Sequence, residues 1–219
     1  ALPSQVQAEY QIGGMASEFS LEVKPASKIT ATDKFLCLRP EVRTGAQGVK
    51  SGNRPALQQV DAFNTASDPR RIHVSLISTN DEAPDPLWAL TESISLNITN
   101  NIKRNLAVGT VGAARFSVGK FEVSGSFNAY FRDVAALSAA QNNADVTAHF
   151  ALSGKNVGFA FDLPLITLKK ARAVVAQDEP IMLPCDFRAH SGQKVNANFD
   201  HTLMWTWFAY LPTLAQTVA

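Results

Sequence analysis

Cysteine is scarce: the 219 residues hold two, Cys37 and Cys185. That number excludes a scaffold built from disulfides. It leaves two small side chains of the kind usually spent on apolar packing. Long apolar runs are missing too, and nothing approaches the roughly 18 residues that a membrane-crossing helix needs. Neither sign of charge dominates, with 20 Lys and Arg against 19 Asp and Glu for a net charge of +1. The basic footprint of a dedicated nucleic-acid binder is therefore absent. Near-neutrality also removes an electrostatic obstacle to self-association. The opening stretch, ALPSQVQAEY, has neither the basic start nor the apolar core of a secretory leader.

Catalytic and metal-binding patterns are equally sparse. The four histidines, His73, His149, His190 and His201, do not pair at metal-ligand spacings. Cys185 and His190 have no second Cys/His pair to complete a tetrahedral zinc site. Ser117-Val118-Gly119-Lys120 matches a bare S-x-x-K, but it sits beside a glycine between strands and lacks a K-T-G companion. Gly112 and Gly119-Lys120 have the wrong separation for a phosphate loop, and Phe121 stands where a metal-binding hydroxyl belongs. Asp81, Glu82 and Asp85 cluster in a proline-rich loop without the alternation of a calcium loop. Asn97-Ile98-Thr99 fits a glycosylation sequon that carries no weight without a secretory leader. No pair of acids is nominated for hydrolysis. The expectation is a protein that is not an enzyme and has no catalytic site, metal or cofactor.

What the chain does have is an ordinary apolar share, 46%, and many short alternating segments. Residues 1–17 are polar with a Gly13-Gly14 flex point and read as a flexible N-terminal arm. Residues 18–219 read as a single β domain. Phe19, Leu21 and Val23 begin it, ended by Pro25, and Lys34 to Val42 follows with Pro40 needing an edge or a bulge. The longest irregular stretch is 44–69, punctuated by Gly45, Gly48, Gly52, Pro55 and Pro69. Loops beyond about 15 residues are usually functional or disordered. Arg43, Lys50, Arg54, Arg70 and Arg71 make this loop and its exit basic.

The middle of the chain carries the clearest pattern. Ile94, Leu96 and Ile98 alternate with polar residues, and Thr99-Asn100-Asn101 supplies a turn. A looser stretch spaced by Gly109 and Gly112 follows. Phe121, Val123, Gly125, Phe127, Ala129 and Phe131 then share one face. Asp133 is placed to cap a short helix over about 133–141. Val146 to Leu152 and Val157 to Leu163 form a hairpin around Gly154, which Pro164 interrupts, and further strands cover 165–175 and 181–190. Leu203 to Leu211 is apolar on both faces, so it is expected to be covered on both, within the subunit or between subunits. Regularly spaced strands and one helix predict a mainly β chain, an antiparallel sandwich or barrel.

The order of these segments resembles the tail tube (major tail) proteins of long-tailed, siphovirus-like bacteriophages. The matching residues are the I-S-L-N-I-T-N-N strand and turn from Ile94 to Asn101, Gly109 and Gly112, and Val123-Ser124-Gly125-Ser126-Phe127. Tyr130, Phe131 and Asp133 lead into the helix, and Leu163-Pro164-Leu165 and the 203–208 strand come later. Gly125, Phe127, Tyr130, Phe131 and Asp133 are the structural strand–helix motif of this match. The resemblance implies a structural virion protein made in the host bacterial cytoplasm. Its subunits would form hexameric rings that stack into a tube, with DNA passing through the lumen without specific binding. Other tail proteins (tape measure, terminator, distal tail) are the implied partners, with no membrane among them. In that setting Arg43, Lys50, Arg54, Arg70 and Arg71 are candidates for contacts between rings. The alternative is a monomeric β-sandwich module that binds a carbohydrate or other ligand through Trp88, Trp205 or Trp207.

Overall fold

The computed structural model describes residues 7–49, 52, 62–77, 85–87, 90–131, 134–154, 157–169, 174 and 177–208. Its strands are β1 (Gln7–Ile12), β2 (Met15–Val23), β3 (Thr30–Leu36) and β4 (Arg39–Thr44), then β5 (Pro69–Leu76), β6 (Asp85–Pro86) and β7 (Thr91–Thr99). β8 (Lys103–Leu106), β9 (Ala113–Ser117) and β10 (Glu122–Tyr130) precede helix α1 (Val134–Gln141). β11 (Val146–Gly154), β12 (Val157–Lys169), β13 (Met182–His190) and β14 (Met204–Phe208) complete the order. The result is mainly β with antiparallel sheets and, among the described residues, a single α-helix. It is sandwich-like and, among the described residues, forms no closed barrel.

Ala1–Phe19, Thr32–Asp61 and Thr99–Phe121 form a smaller compact unit, and Ser20–Ala31, Ala62–Ile98 and Glu122–Ala219 form a larger one. The sequence reading places residues 18–219 in one domain. Within the segment read as an arm, Gln7–Ile12 is a strand paired antiparallel with β4. Ala8, Tyr10 and Ile12 are its half-buried positions, alternating with exposed Gln7, Glu9 and Gln11. Pro40 is in β4, and the β1–β4 pair is a two-stranded sheet. Both of its strands are edges, where a residue without an N–H is tolerated.

The main sheet runs β3-β2-β7-β10-β13-β12-β11-β5-β6, with β14 added on β12. In the larger unit, alternation becomes burial directly. Ile94 and Leu96 on β7, Val123, Phe127 and Ala129 on β10, and Val146, Ala148, Phe150 and Leu152 on β11 are all buried. Their polar neighbours are not, as a strand with one covered face requires. Phe127 stacks on Phe187 with centroids 4.5 Å apart, and Phe150 stacks on Phe161 at 4.7 Å. Each such pair contributes about 0.5–1.5 kcal/mol beyond its buried area. Cys185 is buried among them as a free thiol. Loss of hydration pushes its pKa up to about 11, with a smaller contribution from the charge of Asp186.

Pro164 does not end a strand, contrary to the sequence reading. β12 runs straight through it. Along one edge β12 pairs with β14 over Gly158–Asp162 and then with β13 over Leu165–Lys169, so Pro164 falls in the gap between partners. Along the other edge the register steps from Ala148↔Leu163 to Val146↔Ile166, a bulge at the proline. The missing N–H is placed where no ladder bond is needed.

Candidate assembly surfaces

Among the described residues no group of three His, Cys, Asp or Glu side chains could hold a metal ion. The features that stand out are surfaces: basic residues near the long loop, the strand–helix motif, two sheet edges and one hairpin.

Of the basic set, Arg43 is on β4. Its Nε donates to Glu41 Oε1 at 2.7 Å, and its guanidinium lies 4.7 Å from the Tyr10 ring centroid. The hydrogen bond from Arg43, and then its charge, hold the Glu41 carboxyl below its ordinary range, while Glu41 raises Arg43 in turn. Arg43 thus has a local partner two residues away on the same side of a strand. Lys50 and Arg54 lie outside the described residues. Arg70 and Arg71 are on β5, with Arg71 in register with Ala151 on β11, but their side chains are outside the described set. Arg43 belongs to the smaller unit and Arg70 and Arg71 to the larger one.

The strand–helix motif is structural in its geometry. A Cβ on Gly125 would fall on the Ser95 carbonyl oxygen and lie 2.5 Å from Phe187 Cζ. Backbone and ring thus leave no room for a side chain. Beside it the Ser95 and Ser126 hydroxyls are 2.8 Å apart and hydrogen-bonded. Tyr130 closes β10, and the Phe131 N–H donates to the Ile181 carbonyl at 2.9 Å. Helix α1 begins at Val134, and the capping role read for Asp133 lies outside the described residues.

Two of the edge strands, β3 and β14, stand out by their exposure. Among the described residues β3 pairs only with β2, and it is exposed along its length except at Leu36, with Phe35 64% exposed. Among those residues β14 likewise pairs only with β12. Met204, Trp205, Trp207 and Phe208 are exposed, Trp207 at 65%. Of the two covers expected for 203–211, within the subunit or between subunits, the described residues supply the first only in part for Met204–Phe208. Among the described residues these five, on one edge of β12, have no further sheet over them. Trp205 still leans on Phe161, with centroids 5.2 Å apart.

The smaller unit holds a feature that sequence reading treated only as a loose stretch. β8 and β9 form an antiparallel hairpin with register Lys103↔Ser117 through Leu106↔Ala113. Both its ends are pinned. The Ala113 N–H donates to the Leu38 carbonyl at 2.8 Å, and Gly112, with φ +87°, has its Cα face against Leu38 and Arg39. Asn101 Nδ2 donates to the Lys120 carbonyl at 2.8 Å, and Asn105 Nδ2 to Ser117 Oγ at 2.6 Å. The cue that could have found it is K-R-N-L and A-R-F-S flanking a G-T-V-G turn.

Comparison with known protein families gives a match to the family described as phage tail tube protein over residues 2–189. The chain belongs to that family. It is a structural component of a phage tail, and the match spans β1 through nearly all of β13. The family points to a non-enzymatic component of the virion tail and to assembly with itself and with other tail proteins. A search of the curated proteins finds no match. Among the described residues no helix is long and apolar enough to cross a membrane.

Proposed function

We propose that this tail tube protein forms hexameric rings that stack into the conduit through which phage DNA reaches the host. The observation that carries the reading is the pair of open sheet edges, β3 and β14. An exposed edge with unpaired N–H and C=O groups is a hazard in a lone subunit. Ring closure removes such edges by pairing them between copies. The stretch 44–69, with Arg43, Lys50, Arg54, Arg70 and Arg71, supplies contacts from one ring to the next. DNA crosses the lumen without specific binding, in keeping with a net charge of +1. Tape measure, terminator and distal tail proteins are the other partners.

Negative-stain electron microscopy with light scattering across a concentration series tests this. Uniform six-fold rings or tubes are expected. Rings of another symmetry would overturn the hexamer, and irregular aggregates would overturn the tube. One observation favours a second reading, a monomeric ligand-binding module: Trp205 and Trp207 are both exposed, as sugar-stacking tryptophans are. A monomer at all concentrations that binds on a glycan array would favour it.

A further inference from the structure

We infer that the β8–β9 hairpin is a docking arm whose apolar tip seats on strand β14 of a second copy of this chain. The inference rests on the tail tube reading and names the surfaces that join two subunits.

The tip is apolar and out in solvent. Leu106 is 77% exposed, Val111 80% and Val108 fully so. The turn that carries them is ordered by its own bonds, with the Thr110 hydroxyl donating to the Ala107 carbonyl at 2.8 Å. A pinned ribbon ending in aliphatic side chains with no cover has the character of an interaction site. A two-stranded ribbon gains little stability by itself.

Charge identifies the occupant. From Asn100 to Phe121 the chain has Lys103, Arg104, Arg115 and Lys120 and no acidic residue. Arg104 donates to the Leu38 carbonyl at 3.2 Å, and among the described residues Lys103, Arg115 and Lys120 have no carboxylate partner. By sequence the smaller unit has nine Lys and Arg against five Asp and Glu, whereas the larger has eleven against fourteen. A nearly neutral chain is therefore split into a basic part bearing the arm and an acidic part bearing β14. Two copies complement each other in a way that a neutral average conceals.

β14 fits as the receiving surface. Met204 and Phe208 are exposed on one face of β14 and Trp207 on the other, and Trp207 is the kind of anchor that dominates interfaces. Asp162 stands in register with Met204, and Asp200 precedes the strand. The cationic stem thus meets carboxylates while the valines meet aromatic faces, where Arg also gains cation–π contact.

The test uses the full chain and three variants: Val108→Asp with Val111→Asp, Lys103→Glu with Arg115→Glu, and Trp207→Ala. Far-UV circular dichroism and thermal melts should match wild type, because the substituted side chains are exposed. Each variant should need at least about tenfold more protein to assemble, as read by light scattering and microscopy. A photoreactive side chain at Val108 in an otherwise unaltered chain should cross-link between chains to Met204–Phe208. If wild type assembles and the tip variants do so equally well, or the cross-links fall elsewhere, the inference is overturned while the tube reading stands. If wild type does not assemble at any concentration, both are overturned.

Discussion

Two antiparallel hairpins of this chain differ in what covers them. In the larger unit β11 and β12 meet over Val146–Gly154, and every second residue of β11 from Val146 to Leu152 is buried. In the smaller unit β8 and β9 meet just as regularly, yet Ala113 is the single buried residue on either strand. The pleat is the same. The first ribbon gains its stability from one dry face, the second from tethers at both its ends. A strand with a dry face announces itself in sequence and resists substitution. A tethered ribbon does neither, and keeps its apolar residues available to another molecule.

Removing a side chain from each region tests that contrast most strongly. Phe127→Ala should cost about 3–5 kcal/mol, because a fully buried ring leaves a cavity beside Phe187. Val108→Ala should stay within about 0.5 kcal/mol. Urea denaturation of both variants checks the pair. Similar losses would mean that the hairpin tip is part of a folding core after all.

Gly125→Val probes the same core by addition. The new side chain would collide with the Ser95 carbonyl and the Phe187 ring, so a loss of about 3 kcal/mol is expected, the upper part of the usual overpacking range. Unchanged thermal stability would show that β10 can slide away from β7.

A pH series sharpens the comparison further, since Cys185 belongs to the buried side of it. Its thiol is favoured in the fold, with a pKa of about 11 against 9.0 unperturbed. The stabilisation is fully present below pH 9, because both states then hold the proton. It is lost as pH rises towards 11, where the unfolded chain has already ionised and the fold resists doing so. Wild type should lose about 2 kcal/mol more than Cys185→Ala between pH 8 and pH 10.5. Equal slopes would mean that the thiol is hydrated. Urea midpoints at each pH give the answer.

The sequence was readable where burial is one-sided. Ile94, Leu96, Phe127 and Phe150 each fall at the alternate positions that a dry face selects, and the structure buries all four. The helix at Val134–Gln141 was legible from its alanines and leucine. β8–β9 was not, because a ribbon wet on both faces has no period-two constraint to leave a trace. Leu203 to Leu211 reads as needing cover, and among the described residues Met204–Phe208 is covered only in part, by Phe159 and Phe161 against Trp205. Apolar composition reports that a strand needs a partner, not which molecule provides it. Pro164 defies a proline's local preference because β12 changes partners there, so no ladder bond needs its missing N–H. The assembly surfaces were the least legible. Their residues act through contacts with other molecules, and such contacts impose no local spacing.

The smallest effect expected on folding comes from Arg43, the one basic candidate whose side chain is described. Its bond to Glu41 and its position over Tyr10 are at the surface, where long side chains lose entropy on pairing and salt screens the attraction. Arg43→Ala should therefore move the melting temperature by less than about 2 °C, and less still at high salt. If Arg43 joins rings, the same substitution should shorten tubes or shift rings away from stacking, with the subunit unchanged. A melting temperature and a tube-length distribution from the same preparation separate the two roles. A large thermal shift with normal tubes would make Arg43 a folding residue of the β1–β4 pair rather than a contact between rings.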